Sequence, residues 1–235
     1  MRPRGMSALT TVRLFISVIL LLLISVTSGL TAGLSEKTRD VSPDGKFAMR
    51  IAFDSELNAQ IQAHPDERRP QIDKNGDKIA DPDHIASEAI KTIELVSLPK
   101  KEVAANLLPE DERGGYDLYS DIRLLWSADS KWCAFSFNFP RVGYTTIYQQ
   151  IADKFRELNK PEELKADVKG DVRYEYIRPV RWEKPGVLVL DQLSIFRETT
   201  GLPPTTLELT AGLDRKSGRF KILSKRNSVQ RANNN

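Results

Sequence analysis

Six residues between Asp73 and His84 carry the one spacing in this chain that suggests site chemistry. Asp73, Asn75 and Asp77 present oxygen-bearing side chains at every second position, Ile79 offers a backbone carbonyl, and Asp81 and Asp83 continue the alternation. A hard cation such as Ca²⁺ takes roughly six to eight oxygen ligands, and alternating Asp and Asn in a tight loop supply them. The candidate cofactor is therefore a structural Ca²⁺ held by Asp73, Asn75, Asp77, Ile79, Asp81 and Asp83, and otherwise none. The competing reading is a solvated polar turn, because Lys74 and Lys78 place two ammonium groups beside the same oxygens.

Other chemistry lacks its signature. The chain has no Gly-x-Ser-x-Gly elbow, no phosphate-binding glycine loop and no dinucleotide fingerprint. Cys133 is the single cysteine, so no internal disulfide forms, and its apolar neighbours argue for a buried, inert thiol. His64 and His84 lack metal-ligand spacing. Acidic residues are plentiful but no pair stands out for general acid–base work. A hydrolase with carboxylates scattered over strand ends is an alternative to a non-enzymatic binding or scaffold module. Trp126, Trp132 and Trp182 offer aromatic faces for a ligand groove, but all begin or precede strands, where core packing is commoner.

The elements that would position these residues are mainly strands. Ser42-Pro43-Asp44-Gly45-Lys46-Phe47 and Ser127-Ala128-Asp129-Ser130-Lys131-Trp132 share one pattern, a polar turn entering an apolar run through an aromatic. Phe47, Met49, Ile51 and Phe53 alternate after the first, and Cys133, Phe135, Phe137 and Phe139 after the second. Ile93 to Leu107 reads as a hairpin about Pro99-Lys100-Lys101. Trp182 to Gly186 and Lys216 to Gly218 read as further turns, and Val187 to Leu190 as a central strand. The 4-4-3 spacing of Ile147, Ile151, Phe155 and Leu158 predicts a helix over 146–158, and Pro161 to Lys165 a second short one. Leu34 to Asp40 reads as polar linker and Asp54 to Asp83 as a long polar excursion. The expected fold is mainly β, antiparallel hairpins and meanders with one or two short helices; the alternatives are a single α+β domain and a partial or small propeller.

Two resemblances follow from these residues. The Ser-x-Asp-(Gly/Ser)-Lys-aromatic strand starts, with hairpins such as Ile93 to Leu107, resemble blades of TolB-like and WD40-like β-propellers. That resemblance implies a sheet-rich scaffold for protein or ligand contacts with no common chemistry. The Asp73 to His84 stretch resembles the calcium loops of EF-hand, dockerin and thrombospondin type 3 repeats. It departs from them at Lys78, where a glycine is usual, and at His84, where an acid is usual.

Charge and hydropathy bound the setting. Arg2, Arg4 and Arg13 lie in the first 33 residues, and the remaining basic side chains equal the 32 acidic ones. That balance gives no argument for nucleic acid. Residues 1–33 read as a signal peptide: a positive start, an apolar core from Leu14 to Val26, and small residues from Ser28 to Gly33. The expectation is a protein exported to the periplasm or cell exterior, with one β-rich domain over 34–226 and a frayed tail over 227–235. Its partner would be a protein or small ligand. Membrane contact is expected only if the N-terminal segment stays uncleaved, as in a membrane-tethered structural subunit. The basic run Arg215, Lys216, Arg219, Lys221, Lys225, Arg226 and Arg231 reads as a solvated face.

Overall fold

The two Ser-x-Asp turns are built from the same hydrogen bonds, and they fix where the strands start. In a computed structural model, which describes residues 33–63, 85–108, 122–138 and 142–227, the Ser42 hydroxyl donates to Asp44 Oδ1 at 2.7 Å and accepts the Phe47 amide at 3.0 Å. Ser127 repeats this, donating to Asp129 Oδ1 at 2.6 Å and accepting the Trp132 amide at 3.0 Å. Asp44 and Asp129 each also accept the amide two residues on, at 3.2 Å. The tight bend needs a left-handed residue at the fourth place, which Gly45 (φ 71°) and Ser130 (φ 59°) supply. The two turns then dock on each other, the Asp44 amide donating to the buried Ser130 hydroxyl at 3.0 Å.

Each turn opens a strand of an antiparallel meander. The first meander comprises β1 (Leu34–Arg39), β2 (Phe47–Asp54), β3 (Ile90–Ser97) and β4 (Val103–Asn106), in that spatial order. The second comprises β5 (Arg123–Trp126), β6 (Trp132–Asn138), β7 (Val142–Ile151) and β8 (Lys154–Glu157). The third comprises β9 (Val172–Lys184), β10 (Val187–Phe196), β11 (Thr205–Asp214) and β12 (Arg219–Asn227). A two-residue parallel contact, Val142 to Glu175 and Gly143 to Tyr176, joins the second and third into one eight-stranded sheet. The protein is mainly β, as the alternation predicts.

Side-chain parity then sets the packing. From β6, Cys133, Phe135 and Phe137 point into a core shared with Phe47, Met49, Ile93 and Leu95 of the first meander. Trp132 and Ala134 point the other way, into a core shared with Leu188, Leu190, Leu209 and Phe220 of the third. Every residue of β6 is buried, because cores lie on both its faces. All three tryptophans pack on these cores. Trp132, Trp182 and Phe220 form an aromatic group with centroids 5.8–6.3 Å apart. The indole N–H groups of Trp126 and Trp182 donate to the Asp40 and Leu125 carbonyls, at 2.7 and 3.0 Å.

Three expectations are corrected. The predicted helix over 146–158 is the β7–β8 hairpin, turning at Ala152 and Asp153. Thr145, Thr146, Ile147 and Tyr148 are β-branched or aromatic and favour a strand. The helical stripe is accidental: Phe155 enters the first core, Ile147 and Leu158 the second, and Ile151 is exposed at the hairpin end. The polar 34–40 stretch is largely strand β1, held by edge pairing rather than by apolar burial. The start of the polar excursion is the helix α1 (Ser55–Ala63), where the Asp54 carboxylate accepts the Leu57 amide at 3.0 Å and caps the N-terminus. Short 3₁₀ turns occur at Ser87–Ala89 and Pro161–Leu164, the latter where the second short helix is predicted.

Candidate ligand-binding cleft

The site begins with polar residues on a largely apolar face. Along β10, Leu188, Leu190, Gln192, Ser194 and Phe196 share the buried side, so two polar residues interrupt the apolar alternation, the larger being Gln192. Its amide is matched to a crossing backbone. Oε1 accepts the Ala166 N–H at 2.7 Å, and Nε2 donates to the Ala166 carbonyl at 2.8 Å. Nε2 also donates to Glu175 Oε1 at 2.8 Å, and the same oxygen accepts the Ser194 hydroxyl at 3.3 Å. Lys165 completes the group with its ammonium 3.9 Å from Glu175 Oε2. A buried amide satisfied in this way rigidifies its surroundings, whereas an unmatched one is costly. The result is a strap, residues 165–170, held across the β9–β10 face.

The strap ends at Gly170, whose φ of 125° and close neighbours both require glycine. A Cβ there would lie 2.7 Å from Leu202 Cδ1 and 2.8 Å from Phe196 Cδ1. Behind it, the Arg197 amide donates to the Asp171 carbonyl at 2.9 Å, and the Arg197 guanidinium pairs with the Asp171 carboxylate at 2.9 Å. Phe196 is therefore fixed as a wall.

Between the strap and the ends of β10, β11 and β12 lies a cleft of about 530 Å³. Val168, Phe196 and Leu207 make it apolar, and Thr205 and Asn227 add neutral polar groups. Asp167, Lys169, Lys225 and Arg226 supply its charges. Arg226 is matched by the Glu208 carboxylate, which also lies 3.8 Å from Arg181. The Lys225 ammonium donates to the neutral Asp167 carbonyl at 3.2 Å. Among the described residues, neither Lys169 nor Lys225 has a carboxylate partner.

Chemically the cleft suits binding. It holds one carboxylate and no His or Cys, so its lining has neither paired acids nor a nucleophile beside a base. Nearby charges form a cross-strand ladder. Asp191 stands opposite Arg178 and Glu208, and Glu208 opposite Arg226. Partial burial raises the Asp191 pKa, and neighbouring Glu208 raises it further, against the opposing pull of Arg181 and Arg178. On β8, partial burial also raises the Glu157 pKa, opposed by Arg219.

The sequence-predicted site residues fare differently. Asp73, Asn75, Asp77, Ile79, Asp81 and Asp83 lie outside the described residues, as do His64, His84 and residues 1–32, where the signal peptide is expected. Among the described residues, no group of three or more His, Cys, Asp or Glu is placed to hold a metal ion. Cys133 is fully buried, and desolvation pushes its thiol pKa well up. Three members of the C-terminal basic run are matched within the chain: Arg219 pairs with Glu163 at 2.7 Å, Lys221 with Asp214 at 3.2 Å, and Arg226 with Glu208. Sequence reasoning missed the cleft. Its legible sign is Gln192, with Ser194, at a buried parity, because the lining comes from strap and strand ends far apart in the chain. No protein-family model matches the chain, and no curated protein matches it either.

Proposed function

We propose that this protein is an exported, non-enzymatic binding module that holds a small ligand in the cleft beneath the 165–170 strap. The observation that carries this reading is the cleft itself. It has the size of a small-molecule site, and it combines apolar walls with a few placed polar groups. The Gln192 clamp supports it, since the wall is pre-organised by hydrogen bonds rather than left to fold around a ligand. The single lining carboxylate favours binding over hydrolysis. Export rests on the positive, apolar and small-residue pattern of residues 1–33.

The scaffold is read as three propeller-style blades in an open stack. Three successive four-stranded meanders support this, as do the two matching Ser-x-Asp turns that enter the first and second. No helix among the described residues is long and apolar enough to cross a membrane.

The test uses a neutral solvatochromic dye, Nile red, with protein expressed from the full-length sequence. Binding at one site should be saturable, and Thr205→Trp, which fills the cleft from its rim, should abolish it while leaving the melting temperature within a few degrees. Unsaturable dye partitioning, untouched by Thr205→Trp, would remove the reading.

A further inference from the structure

Resting on that cleft, we propose that its ligand is a monoanionic amphiphile, a carboxylate head on an apolar tail. The tail end is set by Val168, Phe196 and Leu207, which line the cleft with apolar surface that a hydrocarbon tail can cover. The head end is set by charge balance. Arg226 is already neutralised by Glu208, so it adds little net field. Lys169 and Lys225 are not neutralised by any carboxylate among the described residues, and the one carboxylate in the lining is Asp167.

Two ammonium groups against one carboxylate leave a single positive charge to match. A cation would meet both lysines, and a neutral ligand would leave the excess unmatched. A dianionic head such as a phosphate monoester would over-match it and be repelled by Asp167. The polar groups in the lining also suit a carboxylate. Lysine ammonium, the Thr205 hydroxyl and the Asn227 amide can all donate, and a carboxylate accepts on both oxygens. The same head and tail occur in a medium-chain fatty acid and at the end of an apolar peptide.

The experiment displaces Nile red with octanoate, octanol, octylamine and N-acetyl-dileucine. Octanoate should compete about tenfold more strongly than octanol, the size expected of two partly exposed charges. Octylamine should compete more weakly than octanol. Raising the salt concentration should shrink the preference. In the double variant Lys169→Gln and Lys225→Gln, octanoate and octanol should converge to within about twofold. Gln is used so that a donor remains for the Asp167 carbonyl, and melting curves check that the fold is kept. N-acetyl-dileucine competing better than octanoate would identify a peptide terminus as the source; the reverse would identify a fatty acid. Equal competition by octanoate and octanol in the unmodified protein would overturn the ligand class while leaving a binding cleft. A preference that survives the double substitution would overturn it too. No displacement by any probe, with dye binding unaffected by Thr205→Trp, would overturn both the class and the cleft.

Discussion

Replacing Gln192 by Met tests whether the strap is held by a designed pair of hydrogen bonds or merely lies on an apolar face. Met nearly conserves volume, so the substitution leaves little cavity and isolates the polar contribution. Gln192 is fully buried, and its amide serves both backbone groups of Ala166 at 2.7 and 2.8 Å. Without it, one N–H and one C=O lose their partners in a dry site, and Glu175 loses its nearest donor at 2.8 Å. An unsatisfied buried group costs about 1–3 kcal/mol. Two such groups set an expected loss of about 2–6 kcal/mol, with the lower half favoured if the strap lifts to meet water. In a domain of this size, 1 kcal/mol moves the melting temperature by about 2–4 °C. Urea denaturation measures the loss as a fall in midpoint at constant slope. Amide exchange locates it, because Ala166 and Asp167 should lose protection while β6 keeps its own. A change below about 0.5 kcal/mol, typical of an unremarkable surface site, would refute the clamp.

Further outcomes follow, the last of them from the sequence alone. Ser127→Ala and Ser42→Ala should each cost about 1–3 kcal/mol, because each strands the amide of the following strand's first aromatic. The Asp44-to-Ser130 bond couples the turns, so a double-mutant cycle on urea midpoints should give a non-additive pair. Asp191→Asn should raise stability at pH 7 by less than about 1 kcal/mol, given the partial exposure of the ladder. The sign follows from a pKa raised on folding: the carboxylate is unfavourable when ionised, and protonation relieves it. The gain should therefore shrink as pH falls through the folded-state pKa and vanish below the lower unfolded-state pKa, as read from melting curves. Millimolar Ca²⁺ should raise the melting temperature relative to chelator, and Asp73→Ala with Asp77→Ala should abolish the rise. Identical melts would reduce that stretch to a polar turn.

Much of the fold was legible because strand parity is written directly in residue order. Phe47, Met49 and Ile51 alternate, and they are buried on one side as the alternation requires. Val187 to Leu190 is apolar throughout and is central in its sheet, with β9 and β11 on either side. The failures share a cause. Ile147 and Phe155 sit on opposite arms of a hairpin and enter different cores, yet their spacing imitates one helical face. Strand β1 is polar because an edge strand is held by its backbone, which a side-chain pattern does not record. The cleft was illegible for a related reason. Lys169, Phe196 and Lys225 meet only after the strap crosses the sheet, where the amide at position 192 holds its backbone. A polar residue at a buried parity was the available clue, and it points to a tertiary contact without naming the partner.

The most direct measurement is methyl-resolved NMR of the protein during titration with octanoate. Val168 and Leu207 line the cleft, so their methyl resonances should shift progressively and saturate together. Methyls of Ile93 and Leu95, in the core between the first and second meanders, should stay fixed. Saturable shifts confined to Val168, Leu207 and their neighbours would establish the cleft as the ligand site. Shifts centred elsewhere, or none at all, would contradict the account.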